Sequence, residues 1–147
     1  MRATIGSDHA GVETRAAAAS LLRERGFEVE EHGPADAESV DYPDISHRVA
    51  ADVASGAASV GVLICGTGQG MAMAANRHLG IRAAVVTDEF TCKMARAHND
   101  ANLACFGERV IGTEKAIELL GVFLDTEFEG GRHRRRVEKI DRTPSEG

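Results

Sequence analysis

Apolar residues in this chain fall into short β-branched runs, separated by longer stretches in which they recur every three or four positions. The runs predict strands at residues 3–6, 27–31, 60–64, 82–86 and 103–106. The stretches between them predict helices at residues 11–25, 44–55, 70–76 and 89–99. After the fifth strand, Ala116, Leu119, Leu120, Phe123 and Leu124 keep the spacing of an amphipathic helix, which should cover one sheet face. Strand and helix therefore alternate throughout, the pattern of an α/β fold with a parallel sheet and helices on its faces. No repeat or linker divides the chain, so one domain is expected over residues 1–140, followed by a polar tail at 141–147.

The third apolar run ends in chemistry. Val60-Gly61-Val62-Leu63-Ile64 leads into Cys65-Gly66-Thr67-Gly68-Gln69-Gly70, a buried strand running into a thiol and three alternating glycines. Glycines at that density let backbone N–H groups turn toward a bound anion, and such dipoles favour a thiolate. A cysteine after an apolar strand also serves as core filler. The glycines pack poorly, and they favour the functional reading.

In open parallel sheets ligands bind beyond the carboxyl ends of the strands. Ser7-Asp8-His9, Cys65-Gly66-Thr67, Thr87-Asp88 and Gly107-Glu108-Arg109 all follow strands and should share one rim. Asp8 there either caps the following helix or exchanges protons with a substrate hydroxyl. His98-Asn99-Asp100-Ala101-Asn102 closes the fourth helix, where imidazole and Asn suit capping. Sharing a rim with the thiol, His98 would instead be an acid–base group. Arg132 and Arg136 are four apart, so on a helix they form either a solvated basic face or a phosphate clamp.

Composition narrows the partners. The chain has 147 residues and a formal net charge of −6, with 4% aromatic residues. It lacks the basic face and stacking aromatics of a nucleic-acid binder, and no apolar run is long enough to cross a bilayer. A cytoplasmic protein binding small molecules is expected. Three cysteines without a C-x-x-C pair argue against a disulfide framework or zinc ribbon, and the six histidines show no metal-ligand spacing. Other phosphate motifs fail: position 71, where a C-x5-R loop needs arginine, is Met71, and no Gly-Lys pair follows the glycines. Gly66-x-Gly68-x-Gly70 is one residue too tight for a dinucleotide fingerprint, although Asp88 stands about where a ribose-binding acid would.

Together these residues resemble the ribose-5-phosphate isomerase B and galactose-6-phosphate isomerase family of sugar-phosphate isomerases. Five motifs carry the likeness in order: Gly6-Ser7-Asp8-His9-Ala10-Gly11, Asp41-Tyr42-Pro43, Cys65-Gly66-Thr67-Gly68-Gln69-Gly70, His98-Asn99-Asp100-Ala101-Asn102, and Gly130-Gly131-Arg132-His133 with Arg136. The resemblance implies a Rossmann-like α/β/α sandwich and a cofactor- and metal-free isomerase. It also implies a homodimer, or a tetramer built from it, with sites between subunits. By the same likeness Cys65 is the base that moves a proton between C2 and C1 through a cis-enediolate, and Thr67 shuttles protons between O1 and O2. Gly66, Gly68, Gln69 and Gly70 form the oxyanion loop, and His98 with Asp8 opens the furanose ring. His9, Arg132 and Arg136 bind phosphate, Asn99 binds a sugar hydroxyl, and Arg109 reaches the phosphate across the dimer. A branch of the family uses a glutamate further along the loop; Met71 stands there, which places this chain with the cysteine branch. Ribose 5-phosphate and ribulose 5-phosphate are the expected pair. The alternatives are allose 6-phosphate, galactose 6-phosphate or a tetrose phosphate, or a binding module without catalysis. Met71, Met73, Cys92 and Cys105 are assigned to packing.

Overall fold

The structure is a computed structural model that describes residues 1–36 and 38–143. Residues 144–147 of the expected tail lie outside the described residues. Five strands, β1 (Arg2–Ser7), β2 (Glu28–His32), β3 (Val60–Cys65), β4 (Ala83–Val85) and β5 (Leu103–Gly107), pair in parallel in the order β2-β1-β3-β5-β4. The central strands β1, β3 and β5 are buried almost throughout, which is why β3 and β5 read as apolar runs, while β1 also buries the small polar residues Thr4 and Ser7. The edge strand β2 is half-exposed, and its Glu-rich sequence reflects that position.

Six α-helices connect and cover the sheet: α1 (Val12–Glu24), α2 (Tyr42–Ala54), α3 (Gln69–Ala75), α4 (Glu89–Ala97), α5 (Glu108–Asp125) and α6 (Arg132–Ile140). On one face α1, α4 and α5 bury Leu22, Cys92, Leu119, Leu120 and Phe123 against Ile5, Val62 and Phe106. On the other, α2 and α3 bury Ile45, Val49, Met71 and Ala75 against Leu63, Leu103 and Cys105. The result is the expected three-layer α/β/α sandwich. No helix among the described residues is long and apolar enough to cross a membrane.

Three local expectations change. Helix α2 begins at Tyr42, two residues early, because Pro43 fits a first turn that needs no N–H donor. Helix α5 starts directly after β5, and a break at Gly112 (φ 73°, ψ 176°) sets its first turn apart from the amphipathic stretch that the periodicity revealed. Met71, Cys92 and Cys105 pack as expected, but Met73 is 69% exposed, since α3 turns its face at 71, 72 and 75 to the sheet and position 73 away.

Helix α6 lies against the end of α4 and the start of β4. His133 and Val137, four apart, form its buried face, and Arg82 donates to both carboxylate oxygens of Asp141 at 3.0 Å. Asp141 therefore belongs to the folded body rather than to a tail. Leu119 is fully buried among both sheet and helix neighbours. Leu119→Ala is expected to cost about 2–5 kcal/mol by urea unfolding, and a loss below about 1 kcal/mol would show that α5 is not seated as described.

Candidate active site

Parallel pairing brings the first cluster together. Ser7 is in register with Ile64, and Cys65 with Gly107, so Asp8, Cys65 and Gly107 stand side by side where β1, β3 and β5 end. The Asp8 N–H donates to the Ile64 carbonyl at 3.2 Å, fixing that level. The chain then tightens into a 3-10 turn at His9–Gly11, where Asp8 Oδ1 accepts the Ala10 N–H at 2.9 Å. The capping reading of Asp8 is thus correct for one oxygen. The residue is 7% exposed, and among the described residues Oδ1 is the oxygen that takes up the cap. His9 Nδ1 is buried without a hydrogen-bond partner, an orphan at the edge of the same rim.

The thiol loop is held just as closely. Gly68, at φ 81° and ψ −13°, takes the left-handed turn that opens α3 and donates its N–H to Cys65 Sγ at 3.1 Å. The Gln69 N–H donates to Thr67 Oγ1 at 3.3 Å, and the Thr67 side chain faces solvent. A Cβ on Gly107 would stand 2.6 Å from the Thr67 backbone, so the loop touches the end of β5 directly. Arg109 donates its backbone N–H to the Gly66 carbonyl at 3.0 Å. Its guanidinium lies 3.4 Å from where a Gly66 Cβ would be, placing a cation beside the loop of its own chain. The Tyr42 ring covers Gly70, where a Cβ would collide with it at 2.3 Å. The Asp41-Tyr42-Pro43 motif signalled this residue without suggesting a role. Asp88 shares the rim but spends Oδ1 on the Thr91 N–H at 2.8 Å, a cap that holds its carboxyl below the usual range. The ribose-acid reading of Asp88 is dropped.

The remaining candidates lie elsewhere. Helix α4 leaves the strand carboxyl ends at Asp88 and returns to the first residue of β5, so His98, its C-cap, sits at the opposite rim from Cys65. Backbone bonds confirm that level: Asn102 accepts from Gly61 at the start of β3 and donates to Arg82 at the start of β4. The expectation that His98 shares the thiol's rim is therefore corrected. Five strand residues at about 3.3 Å each put the rims roughly 16 Å apart. The far cluster comprises His98, Asn99, His133, Arg132 and Arg136, with Glu129 facing the Nε2 atoms of both imidazoles. His98 and His133 stack at 4.0 Å between centroids. Asn99, Arg132 and Arg136 are exposed. His133 is held below the ordinary histidine range by desolvation, then by His98 and by Arg132 and Arg136. Among the described residues, His98, Glu129 and His133 are the group that brings three metal-type ligand atoms within 4.8 Å of one another.

The family model described as Ribose/Galactose Isomerase matches residues 3–140. The chain belongs to the ribose/galactose isomerase family. It is 43% identical over 135 residues to ribose-5-phosphate isomerase B of Escherichia coli, covering 92% of this chain and 91% of that protein. The Clostridium thermocellum ribose-5-phosphate isomerase B structure superposes with a TM-score of 0.92 at 48% identity, covering 96% and 95% of the two chains. That of Mycoplasma genitalium, solved with bound ribulose 5-phosphate, gives 0.93 at 38% identity and covers 99% and 97%. Other relatives of similar identity carry the broader description of sugar phosphate isomerase. The protein is accordingly a sugar-phosphate isomerase.

The three thiols differ in environment. Burial, with Asp88 and Glu89 nearby, pushes the Cys92 thiol up to about 11, and burial pushes Cys105 higher still. Alkylation of native protein by iodoacetamide at pH 8 is therefore expected to label Cys65 first, with Cys92 and Cys105 reacting only after unfolding. Peptide mapping that finds Cys92 or Cys105 labelled ahead of Cys65 would contradict this.

Proposed function

We propose that this isomerase interconverts ribose 5-phosphate and ribulose 5-phosphate without metal or cofactor, at two sites formed between the subunits of a homodimer. The observation that carries this reading is the Asp8–Cys65–Thr67 cluster around the glycine loop, with an N–H aimed at the sulfur and a cation beside it. The relatives named ribose-5-phosphate isomerase B, one holding ribulose 5-phosphate, favour the pentose pair over six- or four-carbon sugars.

In the open-chain aldose, Cys65 Sγ as thiolate takes the C2 proton. The C2–H electron pair forms the C1–C2 double bond, and the carbonyl electrons pass to O1. The Gly68 and Gln69 N–H groups hold Cys65 Sγ and Thr67 Oγ1 in place, and the loop N–H groups of Gly66 and Gly70 face the developing charge, each such donor being worth about 10²–10³-fold in rate. Thr67 Oγ1 carries a proton from O2 to O1, and the thiol returns its proton to C1, leaving the ketone at C2. The base contributes about 10²–10⁴-fold. Ring opening precedes this. The C1–O4 bond breaks as O4 gains a proton and O1 loses one, with His98 as the exchanging group and Asp8 orienting the hydroxyls. His9, Arg109, Arg132 and Arg136 supply phosphate ligands, and Asn99 a hydroxyl ligand.

The two-rim geometry supports the dimer. A pentose runs only about 6 Å from C1 to C5 at roughly 1.5 Å per bond, well short of the roughly 16 Å between rims. Cys65 and His98 of one chain therefore cannot serve the same sugar. A two-fold axis that sets the thiol rim of one subunit against the imidazole rim of its partner completes two equal sites.

Two experiments test this. In D₂O, wild-type protein should convert ribose 5-phosphate with exchange at C2, while Cys65→Ala folds normally and does neither by proton NMR. Binding without conversion by the intact protein would instead favour a module that only holds the sugar. For the shared site, Cys65→Ala and His98→Asn are each expected to be inactive. Dissociated, mixed and reassociated, they should recover about a quarter of wild-type activity, because half the dimers are mixed and carry one intact site. No recovery from a mixture shown to contain mixed dimers would refute sites built across subunits.

A further inference from the structure

Glu129 lies outside every motif singled out in the sequence, yet the fold places it beside the two stacked imidazoles, facing the Nε2 atom of each. Its backbone N–H donates at 2.9 Å to the carbonyl of Ala97, the last residue of α4, which ties it beside His98. The turn at Gly130 (φ 69°) and Gly131 (φ 55°) then returns the chain so that His133 comes to the same spot. Glu129 Oε1 stands 3.7 Å from His98 Nε2 and 3.8 Å from His133 Nε2.

These three side chains also suggest a metal site, and the geometry argues against it. The rings are within 11° of parallel with centroids 4.0 Å apart. A cation about 2.0–2.1 Å from both nitrogens would lie out of both ring planes, off their lone pairs. Arg132 and Arg136 add positive potential at His133.

We propose that Glu129 is the positioning residue for ring opening: its carboxylate, at ion-pair distance from Nε2, biases the proton of His98 toward that nitrogen and leaves Nδ1 to exchange protons with the sugar. A carboxylate on one imidazole nitrogen selects the tautomer and supports the cation that forms when the other nitrogen takes a proton. Here Nδ1 takes the O1 proton as the C1–O4 bond breaks, and O4 is protonated in the same exchange, so the imidazole ends as it began. His133, stacked on His98 with centroids 4.0 Å apart, covers one face of the ring and hinders its rotation. The inference rests on the isomerase reading of His98.

The discriminating substrate is ribulose 5-phosphate, which is acyclic because its O5 carries the phosphate. Its enolisation, followed as deuterium entry at C1 in D₂O, needs Cys65 and Thr67 but no ring opening. Glu129→Gln is expected to lower kcat/KM for ribose 5-phosphate by about tenfold or more, part of what acid–base catalysis supplies, while C1 exchange stays within about twofold. Glu129→Asp should recover part of the loss. Long-range proton–nitrogen NMR should show His98 as the Nε2–H tautomer in wild type and a mixture in Glu129→Gln. Equal loss in both assays, no loss, or an unchanged tautomer would overturn the role of Glu129. Wild-type protein that converts no ribose 5-phosphate would overturn the isomerase reading itself, and the His98 tautomer would still decide whether Glu129 sets it.

Discussion

A strand can pair in parallel with another only if the chain between them travels back to the start of the sheet, and this return path divides the chemistry of the molecule. Residues that follow strands gather at one rim, and residues that end helices gather at the other. Asp8, His9, Cys65, Thr67 and Arg109 belong to the first set, and His98 and Asn99 to the second. Helix α6 has no strand to follow. It joins the second rim because Arg82, 16% exposed at its side chain, clamps Asp141 while His133 packs on His98. The thiol and the imidazole pair thus stand at opposite rims of one chain.

The core serves this division by being plain. Central strands filled with Ile5, Val62, Leu63, Leu103 and Phe106 leave few polar groups inside, so the reactive side chains are pushed to the strand ends. Where the thiol loop crosses the end of β5, Gly107 has no side chain to hold the Thr67 backbone away. That contact lets β5 support the thiol loop from beneath while Arg109 covers it from the side. The sulfurs also differ in partner: Cys92 donates to the Leu119 carbonyl inside the core, while Cys65 accepts a backbone N–H at the carboxyl end of β3.

The five strands and the succession of helices were legible in the sequence because burial on both faces leaves an apolar run, and burial on one leaves a helical period. The boundary of α2 and the first turn of α5 were less so, since Pro43 and the Gly112 break act through backbone geometry that hydropathy does not register. That Cys65, Thr67, Asp8 and His9 share one rim was legible because each lies at or just past the end of a strand, where local order fixes position. Tyr42 and Glu129 were not. Tyr42 acts by lying over Gly70, 28 positions away in the sequence numbering, and Glu129 by a backbone bond to Ala97, and no periodicity announces a contact of that kind.

The sequence by itself determined the fold class, the family and the kinds of groups available, because hydropathy period, glycine spacing and ordered motifs are properties of neighbours along the chain. Only the tertiary structure decided which of those groups meet. His98 and Cys65 belong to adjacent motifs in the sequence reading, yet the return through α3, β4 and α4 leaves them at opposite ends of the sheet. The distance between them is set by the length of the strands, a quantity that exists only once the chain has folded.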